Sequence, residues 1–273
     1  MKIMIFYFSA TGNTAKIARV IEQTCRERGM ETALLDVTPL ESRSEETDLS
    51  GYDAFFFGAP IHSWRAPRVV RDWLRTLSGG GKKCAIFLTY GGFGVHPAHH
   101  STRTILEERE FRVAASAEFL GPHTFNLGGW QAMLGRPDES DYAVAREYAC
   151  LALKRFSGED PALLGEMEKT AYRDDELDAI EAFRFKILTQ LPTRQGKDCS
   201  MCGECEVNCP TGAISAETGE TDGARCIAWL GCVARCPEGA LVINDMSENW
   251  AFKLQMEKTT VEEIGLKRSR IYL

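Results

Sequence analysis

Short apolar runs alternate with amphipathic stretches over the first 158 residues. Apolar runs of roughly 4–8 residues are typical of buried strands, and apolar residues spaced three or four apart are typical of helices. Five strands are predicted, at residues 2–8, 32–37, 54–57, 84–89 and 113–120. Helices are predicted between and after them, at 14–28, 67–77, 102–110 and 138–156, the last two with Ser101 and Asp138 as N-caps. This alternation predicts an α/β fold with a doubly wound, five-stranded parallel sheet covered by helices on both faces.

The rest of the chain has a different pattern. Residues 159–194 open with Asp160-Pro161, carry the acidic run Asp174-Asp175-Glu176, and continue with apolar residues at helical spacing. We therefore predict a helical connector there. A compact cysteine-rich module follows at 195–245, and residues 246–273 are expected to form a tail that packs on the rest of the protein. The predicted domains are thus 1–158, 159–194, 195–245 and 246–273.

Seven of the ten cysteines lie in an internal repeat. Its first half reads Cys199-x2-Cys202-x2-Cys205-x3-Cys209-Pro210, and its second half, 27 residues later, reads Cys226-x5-Cys232-x3-Cys236-Pro237. This run is typical of bacterial two-cluster ferredoxins, in which the cysteine before proline ligates the other cluster; zinc sites normally use separated pairs. The predicted ligands are Cys199, Cys202, Cys205 and Cys236 for a first cluster, and Cys209, Cys226 and Cys232 for a second.

The second ligand set is one cysteine short. In the repeat register Trp229 stands where Cys202 stands in the first half, and an indole has no lone pair suitable for iron. Three outcomes stay open: a [3Fe-4S] cluster, a [4Fe-4S] cluster with a non-Cys ligand on its fourth iron, or no second cluster. We favour the three-iron cluster, because three thiolates match three irons.

A hydroxyl-rich loop follows the first predicted strand and precedes a helix. It reads Ser9-Ala10-Thr11-Gly12-Asn13-Thr14, and such a loop at a helix N-terminus suits a phosphate group. The chain lacks a Walker lysine and a Gly-x-Gly-x-x-Gly pattern here, which favours a terminal monophosphate over nucleoside triphosphates and dinucleotides. A simple helix cap is the alternative interpretation.

Two further loops lie where parallel sheets bind ligands, at the carboxyl ends of the third and fourth strands. Both carry aromatic residues on a backbone shaped by glycine or proline, so they could hold a planar ring system. The candidate residues are Pro60, Ile61, His62, Ser63 and Trp64 in one loop, and Tyr90, Gly91, Gly92, Phe93 and Gly94 in the other. Which of Trp64, Tyr90 and Phe93 stacks on the ring is left open. The nearby histidines are interpreted as solvated loop residues rather than proton donors: His62, His96, His99 and His100.

Residues 1 to about 158 resemble flavodoxins, whose T/S-x-T-G-x-T loop matches Ser9 to Thr14. The resemblance implies a sheet in the order 2-1-3-4-5, FMN phosphate on that loop, and the isoalloxazine between residues 60–64 and 90–94. With the cysteine repeat, the chain is similar to the family of flavodoxin–ferredoxin fusions, apart from the connector and the tail. The implied cofactors are FMN, one [4Fe-4S] cluster and a second cluster in a small α+β ferredoxin-like domain.

The composition of the chain limits the kinds of partner that it is expected to bind. Lys+Arg 32 against Asp+Glu 39 gives a net charge of -7 and a pI near 5.4, which argues against nucleic acid and anionic membranes. No apolar run approaches the roughly 18 residues of a membrane span, and the apolar start is read as a strand rather than a signal peptide. Clustered cysteines indicate a reducing compartment, so we expect a cytoplasmic protein.

The leading functional prediction is an electron-transfer protein that passes low-potential electrons between FMN, the clusters and a redox partner protein. That partner is a ferredoxin-like donor or an acceptor enzyme. No catalytic base, nucleophile or triad is predicted, which favours a carrier over an enzyme. The alternative is an FMN-dependent reductase acting on a quinone, nitro compound, cobalamin or metal oxyanion. A third, non-redox interpretation is an interaction module without FMN. The oligomeric state is left open.

Overall fold

A single six-stranded sheet organises the protein. The computed structural model describes residues 1–44, 46–95 and 97–273, and all of their side chains except those of 183–188. The strand order is β2-β1-β3-β4-β5-β6, and the first five strands are parallel. The predicted 2-1-3-4-5 order holds for these five strands, but the full sheet differs from the prediction by a sixth strand. The strands are β1 (Lys2–Tyr7), β2 (Glu31–Asp36), β3 (Ala54–Pro60), β4 (Lys83–Tyr90), β5 (Arg112–Leu120) and β6 (Arg270–Tyr272).

The prediction of five strands was one strand short. The sixth, β6, comes from the C-terminal tail and pairs antiparallel with β5, with Tyr272 opposite Ser116 and Arg270 opposite Glu118. Three residues are too few to produce a readable alternation of apolar and polar positions. The edge of β5 supplies the hydrogen-bonding partners that this segment needs. The tail is therefore part of the sheet.

Helices cover both faces of the sheet, as predicted. Asp138 caps α4 by accepting hydrogen bonds from the amides of Ser140 and Asp141, which confirms that prediction. Ser101 does not cap α3, because the helix begins earlier at Ala98, which is fully buried in the core. The helices are α1 (Asn13–Glu27), α2 (Arg68–Leu74), α3 (Ala98–Glu108), α4 (Glu139–Ser157), α5 (Asp174–Leu188), α6 (Glu204–Val207), α7 (Gly231–Arg235), α8 (Ser247–Glu257) and α9 (Val261–Gly265), with 3-10 turns at Glu41–Arg43 and Thr124–Gly128.

Alternate strand residues build two cores. Ile3 and Ile5 of β1 face α1 and α4, whereas Met4 and Phe6 face the side of α2 and α3. Burying each such side chain contributes roughly 1.5–3 kcal/mol. The second of these cores extends beyond the sheet and its helices, since it also contains Trp229 from the cysteine-rich module. The module, residues 195–245, is thus packed into the core that the sheet builds.

The connector contains the predicted helix, α5. Of the apolar residues that suggested it, Phe183, Ile187 and Leu188 have side chains outside the described residues. Within the described part of the chain, no helix has both the length and the apolar character needed to cross a membrane.

Gly58 of β3 provides a test of the packing between β3 and β4. A Cβ atom at this position would lie 2.0 Å from Cζ of Phe87, whose side chain is fully buried. We expect Gly58→Ala to lower the free energy of unfolding by about 1–3 kcal/mol, because the ring has no space to move into. Urea denaturation measures the change.

The matched control is Gly51→Ala, where a Cβ would meet nothing within 4 Å. It should alter the free energy of unfolding by no more than about 0.5 kcal/mol. Equal effects of the two substitutions would contradict the packing described for Gly58.

Candidate functional site

A cleft lies at the carboxyl ends of β1, β3, β4 and β5. Its walls are formed by the loops that follow these strands, which is where open α/β sheets bind ligands. The structure brings eleven of the sixteen candidate flavin-binding residues to its walls. These are Ser9, Ala10, Thr11, Asn13, Thr14, Pro60, Ile61, His62, Ser63, Tyr90 and Gly91. Their contact with the flavin stays a prediction.

The loop after β1 keeps hydrogen-bond donors available at the start of α1. Gly12, at the N-cap position of α1, has φ 88, a left-handed conformation that favours glycine, and it has no side chain to cap the helix. Ser9 Oγ accepts from the amide of Ala15 at 3.2 Å, and the hydroxyls of Thr14 and Thr89 lie 2.8 Å apart. The first four N–H groups of a helix have no partner within it, so this loop fits a phosphate.

The loop after β3 is held in a tight turn. The amide of His62 donates to the carbonyl of Arg65, and Ser63 and Trp64 both have positive φ, at 49 and 71. The Oγ atom of Ser63 is buried in this turn and has no hydrogen-bond partner among the described residues. An unpaired buried hydroxyl at the cleft wall fits a polar ligand atom, because pairing would remove the cost of its desolvation.

Buried ion pairs from α5 support that turn. Arg65 and Arg71, each 1% exposed, both pair with Asp178, and Arg71 Nη1 donates to Glu181 Oε2 at 2.9 Å. Burial raises the pKa of Glu181, but the hydrogen bond from His62 and the charge of Arg71 outweigh it and lower the pKa to about 2. The carboxylate therefore stays charged, and the connector helix fixes the loop that lines the cleft.

Five candidate residues do not line the cleft: Gly12, Trp64, Gly92, Phe93 and Gly94. Trp64 stacks on Tyr172 of the connector, with ring centroids 5.8 Å apart and an interplanar angle of 29°. Phe93 packs edge-on against Trp130 and Trp250, at 5.9 and 6.0 Å. Of the three aromatics proposed to stack on the ring, Tyr90 is the one at the cleft wall.

Several cleft residues escaped the sequence reasoning. Gly121, Pro122, His123 and Thr124 follow β5, and the rule that ligands bind at strand carboxyl ends could have indicated them. Trp229 gave no such signal, because it belongs to the cysteine repeat. The remaining additions to the wall are Phe8, Pro67 and Thr89.

His123 is a neutral imidazole in this cleft. Its Nδ1 accepts from the amide of Phe125 at 3.1 Å, so its proton lies on Nε2. Desolvation, followed by the charges of His62 and Lys253, lowers its pKa to about 3. The ring also packs tightly on Gly91, where a Cβ would lie 2.6 Å from Cδ2. At neutral pH, His123 can therefore donate a hydrogen bond from Nε2, but it does not carry the second ring proton of a charged imidazolium.

The other histidines differ from one another. The interpretation as solvated loop residues was wrong for His62 and His99, which are both buried. His99 contacts Ser116 Oγ at 2.7 Å and Glu118 Oε2 at 3.0 Å. His100 is half-buried, and desolvation lowers its pKa. His96 lies outside the described residues.

The first predicted ligand set meets at one cavity. Cys199, Cys202 and Cys205 line it together with Cys236, although Cys236 comes from the other half of the repeat. Cys202 is exposed to solvent. The amide of Ala240 donates to Cys236 Sγ at 3.3 Å, a contact that stabilises a thiolate and tunes cluster potentials. In the part of the chain that the structure describes, no three His, Cys, Asp or Glu side chains are placed to hold one metal ion.

The second predicted ligand set, Cys209, Cys226 and Cys232, meets in an apolar cluster against which Cys205 of the first set also packs. Burial, followed by the neighbouring Cys226 and Cys209, raises the pKa of the Cys232 thiol to about 12. Backbone amides donate to the other two sulfurs, from Ala213 to Cys209 at 3.2 Å and from Ala228 to Cys226 at 3.3 Å. The role of all seven cysteines as cluster ligands stays a prediction.

The cysteine-rich module contacts the phosphate-loop candidate directly. Arg235 donates to the carbonyl oxygen of Ser9 at 2.8 Å and to that of Ala10 at 3.3 Å. Arg43, which lies 5.5 Å over the ring of Phe8, donates to the carbonyl of Pro210. The segments that carry Cys209 and Cys232 are therefore held against the same edge of the sheet as the cleft.

Family models match the two halves of this arrangement. A flavodoxin domain matches residues 4–102, and a 4Fe-4S dicluster domain matches residues 191–237. The chain joins a flavodoxin to a ferredoxin. Its cofactors are FMN in the flavodoxin domain and iron–sulfur clusters in the dicluster domain, and it is an electron-transfer protein.

Solved structures are similar to the flavodoxin domain. Oxidised Flavodoxin 2 from Bacillus cereus is 20% identical with a TM-score of 0.44, over 57% of this chain and 99% of that chain. A flavodoxin from the domain Archaea is 14% identical with a TM-score of 0.42, over the same shares. Rubredoxin oxygen:oxidoreductase from Desulfovibrio gigas is 20% identical with a TM-score of 0.43, over 59% of this chain and 37% of that chain. A search of curated proteins found no match.

His123 gives the apoprotein a pH-dependent stability. Its pKa is about 3 in the folded protein against an ordinary 6.5, so the unfolded chain binds a proton below pH 6.5 that the folded protein does not. The stability from the neutral ring is complete above pH 6.5 and is lost as the pH falls toward 3. Between pH 6.5 and 5, we expect the free energy of unfolding to fall by about 1.5 kcal/mol more in the wild type than in His123→Gln.

Urea denaturation of the FMN-free protein at several pH values measures this difference. His100→Gln is the control, because that half-buried histidine does not line the cleft. Parallel pH profiles for the wild type and His123→Gln would show that folding does not lower the pKa of His123.

Proposed function

We propose that the protein is an internal electron relay. In this proposal, the first cluster exchanges electrons with a soluble redox partner, and the second cluster exchanges them with FMN. The first ligand set includes the exposed Cys202, whereas Cys209 and Cys232 of the second set are buried. The contact of Arg235 with Ser9 and Ala10 carries the proposal, because it holds the second ligand set beside the candidate phosphate loop.

Arg235 is well placed to couple the two domains. It ends α7, which also contains Cys232, and it directly precedes Cys236. Its Nη1 also donates to Asn208, the neighbour of Cys209. FMN exchanges one or two electrons and iron–sulfur clusters exchange one at a time, so a fixed spacing between them serves the stepwise transfer. One guanidinium therefore connects two ligand-bearing segments to the flavin loop.

The surface at the first cluster supports a protein partner. Met201 and Val207 are 60% and 64% exposed beside the exposed Cys202. Glu204 and Glu238 are exposed in the same region. Apolar side chains surrounded by carboxylates suit a redox partner with a basic rim, consistent with the net charge of -7.

We also propose a [4Fe-4S] cluster at the first set and a [3Fe-4S] cluster at the second. The three predicted ligands of the second set pack together, with Cys205 of the first set beside them, whereas Trp229, which replaces the fourth cysteine, lines the flavin cleft instead. No indole nitrogen lone pair is available to complete a fourth iron site. For this relay we propose the domain limits predicted from the sequence, namely 1–158, 159–194, 195–245 and 246–273.

Electron paramagnetic resonance of the anaerobically purified, oxidised protein tests the cluster types. Oxidised three-iron clusters are paramagnetic and oxidised four-iron clusters of this type are silent, so we expect a three-iron signal. Trp229→Cys should abolish that signal and raise the iron content by one. A silent wild type that binds about eight irons, the content of two four-iron clusters, would contradict the assignment.

Arg235→Met tests the relay itself. The substitution keeps an unbranched apolar stem but removes the charged hydrogen bonds, which contribute about 1.5–3 kcal/mol. We expect the rate of FMN reduction by pre-reduced clusters to fall about tenfold or more, with unchanged FMN and iron contents. Stopped-flow absorbance of the flavin measures the rate.

Arg225→Met is the matched control, because Arg225 is exposed and pairs only with Asp222 in the described contacts. If both variants transfer electrons at the wild-type rate, the contact of Arg235 does not support the relay. The reductase alternative predicts that a small quinone reoxidises the reduced protein rapidly without a protein partner.

A further inference from the structure

Trp229 belongs to the dicluster domain in sequence and to the flavin cleft in space. Its side chain is 5% exposed, and its ring centroid lies 5.2 Å from that of Phe8 at an interplanar angle of 52°. Both residues line the cleft. Trp229 also packs in the same core as Phe57 and Val70 of the flavodoxin domain. It is therefore a part of the cleft wall supplied from outside the flavodoxin domain.

The backbone around Trp229 is bent to project the indole. Ala228 and Leu230, on either side of it, have φ values of 50 and 62, a region that residues with side chains rarely adopt. Gly231 then packs against the indole, and a Cβ there would lie 2.4 Å from Cζ2 of Trp229. Such backbone strain persists only when the surrounding structure imposes it, and it clusters at functional sites. This loop therefore aims Trp229 into the cleft.

The tryptophan and the phenylalanine of the two candidate flavin loops pack against residues outside the cleft. Trp64 stacks on Tyr172, and Phe93 packs on Trp130 and Trp250 with the Lys253 amine 4.7 Å from its ring centroid. Phe8, at the cleft wall, is fully buried and has the Arg43 guanidinium over its ring. Among the described residues of the wall, Trp229 is thus the tryptophan available to a planar ligand.

We propose that Trp229 is an aromatic contact of the flavin ring, and that it occupies the position of the missing cysteine because this side of the second cluster faces FMN. The inference rests on the proposed function, because it takes FMN to occupy the cleft. The same residue would bring the ring next to the second cluster and exclude water between them. A cysteine at position 229 would supply a thiolate but remove this contact.

The test uses the full chain loaded with FMN and clusters. We expect Trp229→Leu to weaken FMN binding about 2- to 12-fold, which is the value of a stacked aromatic pair. The fastest component of the flavin emission decay should also be lost, because an indole in contact quenches the excited flavin. Trp229→Phe should restore most of the affinity but not the fast decay, since a phenyl ring stacks without quenching.

Trp64→Leu is the matched control. It removes a stacked tryptophan that lies outside the cleft, so the FMN affinity and the emission decay should both stay at their wild-type values. A loss of fast decay in Trp64→Leu, or its retention in both Trp229 variants, would overturn the inference. Iron content and thermal unfolding establish that each variant is folded, and Trp229→Phe alone suffices if Trp229→Leu does not fold.

These measurements distinguish the proposed contact of Trp229 with the flavin from the proposed electron relay. Affinity and emission are measured on the oxidised protein, in which no electron is transferred from the clusters. If Trp229→Phe changes the emission but pre-reduced clusters do not reduce FMN in the wild type, the relay is wrong and the flavin contact stands. If reduction proceeds while the Trp229 variants retain the fast decay, the flavin contact is wrong and the relay stands.

Discussion

The two hydrogen bonds that Arg235 donates to the carbonyl oxygens of Ser9 and Ala10 join the parts of this protein that carry its cofactors. At this partly buried site, hydrogen bonds from a charged donor to backbone acceptors are stronger than hydrogen bonds between neutral groups. They are also directional, so they set the orientation of the dicluster domain as well as its distance. The position of Trp229 in the cleft depends on this orientation, because both residues lie on the same short stretch of chain.

The connector and the tail complete the flavodoxin domain from outside it. Asp178 and Glu181 of α5 pair with the buried Arg65 and Arg71, and this holds the turn after β3. Buried arginines without such partners would be strongly destabilising. On the other side, Lys267 of the tail donates to the carbonyl of Gly92, and β6 extends the sheet beside β5. Two of the loops at the cleft therefore depend on segments that a flavodoxin domain alone would not contain.

The same packing explains why two aromatic residues predicted to hold the flavin ring do not line the cleft. Trp64 packs on Tyr172, and Phe93 packs on Trp130, so neither ring lines the cleft. The wall that these residues leave is completed by His123, neutral at physiological pH, and by Trp229. A cleft with an apolar wall, a few polar groups and a helix N-terminus at one end suits a ligand with a planar ring and a phosphate.

The sequence by itself determined the five parallel strands, the α1 loop from Ser9 to Thr14 and the cysteine repeat. Each of these depends on short-range periodicity or on residues spaced a few positions apart, which remain readable without a fold. Only the tertiary structure decided that β6 completes the sheet, that Trp64 and Phe93 turn away from the cleft, and that Trp229 lines it. Those outcomes depend on contacts between residues far apart in the chain, such as Trp229 with Phe8, and such packing leaves no local pattern. The strained backbone at Ala228 and Leu230 is likewise imposed by its surroundings rather than by the preferences of those residues.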